Sequence, residues 1–201
     1  MFPLVADLSG RLVVVVGAGT VGTHKALQLL ECGARVTIIS ESVLAPLPEG
    51  VDTHLARRYQ YGDLAGALLV VAATGDAHVN DEIVREATER NLLLNVVDDL
   101  ERSNFFFTAV HRDGDVVVSV STSGASPALA QWVRATVARV LPNNLADVAQ
   151  QLHEERRAYH ERGESTEGRP WMQRVAELLG RSAFEHRDDA VLTSTEVATE
   201  I

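Results

Sequence analysis

Leu12-Val13-Val14-Val15-Val16-Gly17-Ala18-Gly19-Thr20-Val21-Gly22 decides the fold, because an apolar strand, a glycine turn and a helix start coincide in it. Gly17 permits the tight turn, Gly19 lets the backbone approach a pyrophosphate, and Gly22 lets the helix pack closely on the strand. The helix N-terminus offers unpaired N–H groups and the positive end of a dipole to phosphate oxygens. An amphipathic helix from Thr23 to Cys32 and a second strand from Arg35 to Ile39 follow, and Glu41 stands about twenty residues beyond the loop. A carboxylate there can accept both ribose hydroxyls and would repel a 2′-phosphate, so the reading is NAD, not NADP. The competing reading is a glycine turn that serves only helix and sheet packing. The full series of strand, turn, helix, strand and acid weighs against it.

The rest of the chain sets bounds. Its 201 residues, 46% hydrophobic and 23% charged, suit a soluble globular protein with one principal domain and a smaller appendage. No apolar run approaches the roughly 20 residues of a membrane helix. Met1-Phe2-Pro3-Leu4 lacks a basic region leading into a signal-like core, so a cytoplasmic protein is expected. A net charge of −10 argues against a general nucleic-acid binder but leaves room for a local basic pocket. Lys25 is the only lysine; Arg57, Arg58, Arg102, Arg112, Arg134 and Arg139 are available to grip carboxylates. The single cysteine, Cys32, reads as a small core residue.

Residues 11 to 97 alternate strands and helices, which predicts an α/β Rossmann domain with a parallel sheet covered on both faces. After Leu12 to Val16 and Arg35 to Ile39 come strands at Asp52 to Ala56, Leu68 to Ala73 and Leu92 to Val97, with a helix over Asp76 to Arg90. Residues 41 to 50 read as a loop. Two extended runs, Phe105 to His111 and Val116 to Thr122, flank the Asp-Gly step at Asp113-Gly114 and predict an antiparallel hairpin. Helices are expected over 128 to 140, 144 to 162 and 170 to 182. The expected organisation is a Rossmann domain over residues 1–112, a small α+β region over 113–145, a helical C-terminal region over 146–187 and a frayed tail over 188–201.

Ligands of an open parallel sheet bind outside the carboxyl ends of its strands. Beyond the glycine loop, that points to Thr74, after the fourth strand, and to Asn95-Val96-Val97-Asp98-Asp99 at the end of the fifth. The two aspartates either cap a turn or supply, from one of them, a general base; on an extended backbone they would point in opposite directions. Metalloprotease, CxxC, GxSxG and Walker motifs are absent, and no metal site is expected. Ser126, before Pro127, reads as a helix cap.

These residues resemble the precorrin-2 dehydrogenase family, which is also the N-terminal module of siroheme synthases. The resemblance is carried by Gly17 to Gly22 followed by Lys25, by Glu31 to Thr37, by Ala72-Ala73-Thr74, by Asn95 to Asp98 and by Ser123-Gly124-Ala125-Ser126-Pro127-Ala128-Leu129-Ala130. It implies NAD-dependent oxidation of precorrin-2 to sirohydrochlorin, in some members insertion of ferrous iron as well, and a homodimer built through residues 113–145. It places Thr20, Val21, Glu41 and Ser42 at cofactor contacts, so that the cofactor set is Gly17, Gly19, Thr20, Val21, Gly22, Glu41, Ser42, Thr74 and Asn95. Asp98 falls on the essential acid, and Thr122 lies near the tetrapyrrole with Ser123, Gly124 and Ser126 beside it. Gly22 stands where alanine is usual, Gly75 interrupts a common Ala-Thr-Asp-Asp, and Thr108 replaces a usual proline. The alternative is a non-catalytic dinucleotide-binding regulatory module, which would need neither Asp98 nor the Ser-Gly-Ala-Ser-Pro segment. A small dehydrogenase of the Tyr-x-x-x-Lys kind is disfavoured, because Lys25 is the only lysine.

Overall fold

A computed structural model describes residues 1–44 and 46–180, in two compact units, Met1–Phe107 and Thr108 onward. The expected tail over 188–201 lies outside the described residues.

The first unit is a five-stranded parallel sheet in the order β3-β2-β1-β4-β5, with β1 (Leu12–Ala18), β2 (Arg35–Val43), β3 (Thr53–Leu55), β4 (Leu69–Ala72) and β5 (Leu93–Val96). Its helices are α1 (Thr20–Leu30) and α2 (Ala77–Glu89). The valine run explains why β1 sits in the middle. Val13 and Val15 pack with Ala26 and Leu29 of α1, whereas Val14 and Val16 pack with Ile83 and Ala87 of α2, and all four valines are buried. Side chains alternate along a strand, so a run apolar at every position belongs to a sheet covered on both faces.

The strand order reverses at β1, the place where open α/β sheets form their ligand crevice. Asp76 caps α2, its Oδ1 accepting from the backbone N–H groups of His78 and Val79 at 3.0 and 3.3 Å. A buried carboxylate ties α2 to the loop before β4. Glu86 accepts from the Tyr59 hydroxyl, from Gly62 N at 2.7 Å and from Arg90 Nε at 2.7 Å. Burial alone would raise the Glu86 carboxyl; these donors outweigh it and hold the group below its ordinary range.

The start of the segment 41 to 50 departs from expectation, whereas its described residues from 44 onward are the expected loop. β2 continues to Val43 because Ala18 pairs with Val43 beyond a register shift, and Ser40 Oγ bridges Ala18 N (3.2 Å) and the Ser42 carbonyl (2.7 Å). Glu41 and Ser42 therefore sit on a strand end instead of in a loop.

In the second unit, β6 (Ala109–Asp113) and β7 (Val116–Val120) form the expected antiparallel hairpin. The extended run before it shortens, because Phe105 and Phe107 pack on the apolar core of the first unit. Between the strands only Gly114 carries a positive φ (+56°), as in a type II′ turn with glycine leading. Helix α3 (Pro127–Val140) lies against the hairpin, and α4 (Leu145–Glu161) contacts β7 and α5 (Trp171–Leu179). No helix among the described residues is long and apolar enough to cross a membrane.

Candidate functional site: a dinucleotide crevice

The glycine loop divides into crowded and open positions. A Cβ at Gly17 would lie 2.3 Å from the Ala73 carbonyl oxygen, and one at Gly22 would lie 2.1 Å from the Gly17 carbonyl oxygen. Those two glycines let β1, β4 and α1 close on one another, and Gly17 also has a φ of +106°. At Gly19, by contrast, a Cβ would meet nothing within 4 Å among the described residues. Gly19 is also the N-cap of α1 and has no side chain to satisfy the first N–H groups of the helix. An open approach over uncapped N–H groups, with no acidic residue in the first turn, suits a diphosphate. The residues present fit a dinucleotide.

Next to this loop lies an open cleft, lined among others by Gly17, Ser40, Glu41, Arg58, Thr74 and Asp76. Glu41 reaches it from the end of β2, where the Rossmann pattern places the acid for the ribose. Its Oε2 accepts from Arg58 Nε at 2.8 Å. Thr74 is held by its own turn. Its Oγ1 accepts from Asp76 N at 2.9 Å, and its carbonyl accepts from Asn80 Nδ2 at 3.2 Å.

The two aspartates after β5 are not on extended backbone. Asp98 has a φ of +60°, in the left-handed region, and Asp99 N donates back to the Val96 carbonyl at 3.1 Å. Asp99 accepts from Arg102 N at 3.0 Å and from Arg102 Nε at 2.5 Å, and this guanidinium hydrogen bond holds its carboxyl below the ordinary range. Asp98 is exposed and its carboxylate has no partner among the described residues. Thus the pair separates by role: Asp99 closes the turn, and Asp98 is left unused on a strained residue, the kind of position that marks a functional site.

Residues 4–109, just over half of the chain, match the family model described as "Putative NAD(P)-binding". The chain belongs to that NAD(P)-binding family. Siroheme synthase 2 of Aeromonas hydrophila is 39% identical over 150 residues, 74% of this chain and 32% of the relative. The siroheme synthase of Tolumonas auensis is 36% identical over 149 residues, 73% of this chain and 32% of the relative. The chain thus spans about a third of the length of these relatives. A solved structure, "SirC, precorrin-2 dehydrogenase", aligns over 89% of this chain and 87% of its own, with a TM-score of 0.67 and 27% identity. The resemblance drawn from the sequence is borne out at the levels of sequence and fold.

Within this NAD(P)-binding unit, Gly17, Gly19, Thr20, Val21, Gly22, Glu41, Ser42 and Thr74 all lie at the carboxyl edge of the sheet. Asn95 is inside β5, where its Nδ2 donates to the Phe105 carbonyl at 3.2 Å. In the second unit Thr122, Ser123, Gly124 and Ser126 form one turn. Thr122 Oγ1 accepts from Ser126 N at 3.1 Å, and Ser126 Oγ accepts from Leu129 N at 3.2 Å, which is the helix cap expected of it.

Sequence reasoning did not single out Ser40, Ser103 or Asn80. A serine directly after a buried β-branched pair, here Ile38-Ile39, has no distinctive signal. Ser103 Oγ accepts from Val96 N at 2.9 Å and lies 2.6 Å from the Asp99 carbonyl, fixing the turn that presents Asp98. Asn80 is buried, and its Oδ1 is without a hydrogen-bond partner among the described residues. Of the arginines offered for substrate carboxylates, Arg57 is engaged by Asp63 and Arg102 by Asp99 and Asp81.

Proposed function

We propose that this protein oxidises precorrin-2 to sirohydrochlorin with NAD. The observation that carries the reading is Asp98, a carboxylate without a partner among the described residues, on a left-handed residue at the same sheet edge as the uncapped helix N-terminus. The likeness to SirC, which extends past the span of the NAD(P)-binding family, supports it.

In this reading the α1 N-terminus and Gly19 hold the diphosphate, Glu41 takes the ribose diol, and Thr74 flanks the crevice after β4. The nicotinamide, when bound, supplies the acceptor for the hydride that leaves a substrate carbon. The substrate must also lose a proton, and Asp98 accepts it on a carboxylate oxygen, so two electrons and two hydrogens leave precorrin-2. Among the described residues nothing competes for that carboxylate, whereas Asp99 is held by Arg102.

Asp98→Asn conserves volume and removes the proton acceptor. In an anaerobic assay its turnover of precorrin-2 with NAD should fall by about two to four orders of magnitude, while NADH binding stays near native. Unchanged turnover would remove Asp98 from the reaction. Dinucleotide binding without any turnover by the native protein would instead make it a regulatory module. The same assay with ferrous iron, read at the siroheme absorbance, separates iron insertion from oxidation.

A homodimer through residues 113–145 belongs to the same proposal. Leu129, Trp132 and Val140 lie along one face of α3 and are 51, 64 and 76% exposed, a stripe that a second copy of this chain would bury. Light scattering should give about twice the 21.8 kDa chain mass. A monomer at every assay concentration would refute it.

A further inference from the structure

Resting on the reading that the cleft takes a dinucleotide, we propose that Arg58 is a second specificity residue at the adenosine 2′ position. Glu41 keeps it occupied, and it becomes the ligand of a 2′-phosphate once the charge of Glu41 is removed.

The two residues are 17 apart in sequence and meet because β2 and β3 pair side by side, carrying Glu41 and the segment after Leu55 to the same cleft. Arg58 uses only Nε, toward Glu41 Oε2 at 2.8 Å; its two terminal nitrogens have no partner among the described residues. Its neighbour Arg57 cannot play this part. Both of its terminal nitrogens are bound to Asp63, at 2.8 and 2.7 Å, and Asp63 is fixed in turn by Gln60 N at 2.8 Å. Of the two guanidinium groups on the cleft, one is therefore locked and one is held by a single contact.

That single contact is weak. The side chains of Arg58 and Glu41 are 70% and 58% exposed, and an ion pair so open to water is easily exchanged for another. A 2′-phosphate carries more charge than a carboxylate and offers several acceptor oxygens to the planar guanidinium. It would win Arg58 from Glu41 if the carboxylate did not remain beside it and repel it. Discrimination at this position is then the difference between an attraction from Arg58 and a larger repulsion from Glu41.

A double-mutant cycle reads this directly, using NADH and NADPH fluorescence titrations of the full chain. Both side chains are exposed, and circular dichroism checks that each variant keeps its fold. Glu41→Gln should bind NADPH at least about tenfold more tightly than the native protein, with an affinity that falls as salt rises. Arg58→Ala should weaken NADPH further and change NADH by less than about threefold. In Glu41→Gln/Arg58→Ala the NADPH gain should disappear. If the gain survives without Arg58, or if Glu41→Gln gains nothing, Arg58 has no such role, even though NADH binding still upholds the cleft. If the native protein binds neither dinucleotide, the cofactor reading falls and takes this inference with it.

Discussion

Gly19 and Gly22 stand three residues apart and answer to different constraints. At Gly22 a methyl group would lie 2.1 Å from a backbone carbonyl oxygen that has no flexible end to move aside. Alanine gains about 1 kcal/mol over glycine in helix propensity, but overpacking against backbone costs about 1–3 kcal/mol or more, so the clash wins. Gly22→Ala should lower the melting temperature by roughly 2–10 °C, although alanine is the residue usual here in the resembling family. At Gly19 the methyl group meets nothing within 4 Å among the described residues, so Gly19→Ala should stay within about 1 kcal/mol of native stability. It fills the approach to the α1 N-terminus and should weaken NADH binding about tenfold or more. Thermal melts and fluorescence titrations on the two variants check this. A stable Gly22→Ala, or a Gly19→Ala that binds as native, would break the division between packing and ligand glycines.

At the scale of elements, what was legible in the sequence is what is local. The valine run, the glycine loop, the Asp-Gly step and the Ser126-Pro127 cap each state their structure within a few residues, and the corresponding elements form there, although α1 starts at Thr20 instead of Thr23 and the hairpin strands depart from their expected bounds. The discrepancies come from partners that lie outside the local motif. β2 is longer than its apolar pattern because Ser40 and the Ala18–Val43 pairing hold polar residues in a ladder. Asp98 adopts a left-handed turn because Ser103 and Asn104 side chains satisfy the backbone of β5, Asn104 Oδ1 accepting from Leu94 N at 2.7 Å. Helix α4 is capped by a residue 32 positions earlier, Asp113 Oδ2 accepting from Leu145 N at 2.9 Å, while the adjacent Asn144 side chain makes no cap bond. The candidate site follows the same rule. Its glycine loop and Glu41 could be read from spacing, whereas the Glu41–Arg58 pair and the separation of Asp98 from Asp99 required tertiary structure.

Across the whole molecule, arginine–carboxylate contacts make stability depend on pH with a definite sign. Hydrogen bonds from Arg57, Arg102, Arg174 and Arg162 lower the carboxyls of Asp63, Asp99, Glu155 and Glu164, and Glu86 is lowered by its three donors against its burial. A carboxyl lowered in the folded state leaves the unfolded chain binding more protons in acid. Its contribution is present above the ordinary carboxyl range, about pH 4, and is lost as the pH falls through the folded value. At the other end Tyr59 is raised, by burial first and then by Glu86, so its contribution is lost as the pH climbs from about 10. Stability should therefore be flat from about pH 5 to 9 and decline on both sides. Glu86 matters most on the acid side because it is the fully buried member, and the surface pairs are largely screened. Glu86→Gln should cost about 1–3 kcal/mol at neutral pH, by leaving Arg90 without its charged partner, and should flatten the acid limb. Denaturant melts of both proteins between pH 3 and 7 measure this, and equal acid slopes would mean that the buried carboxylate does not set the acid limit.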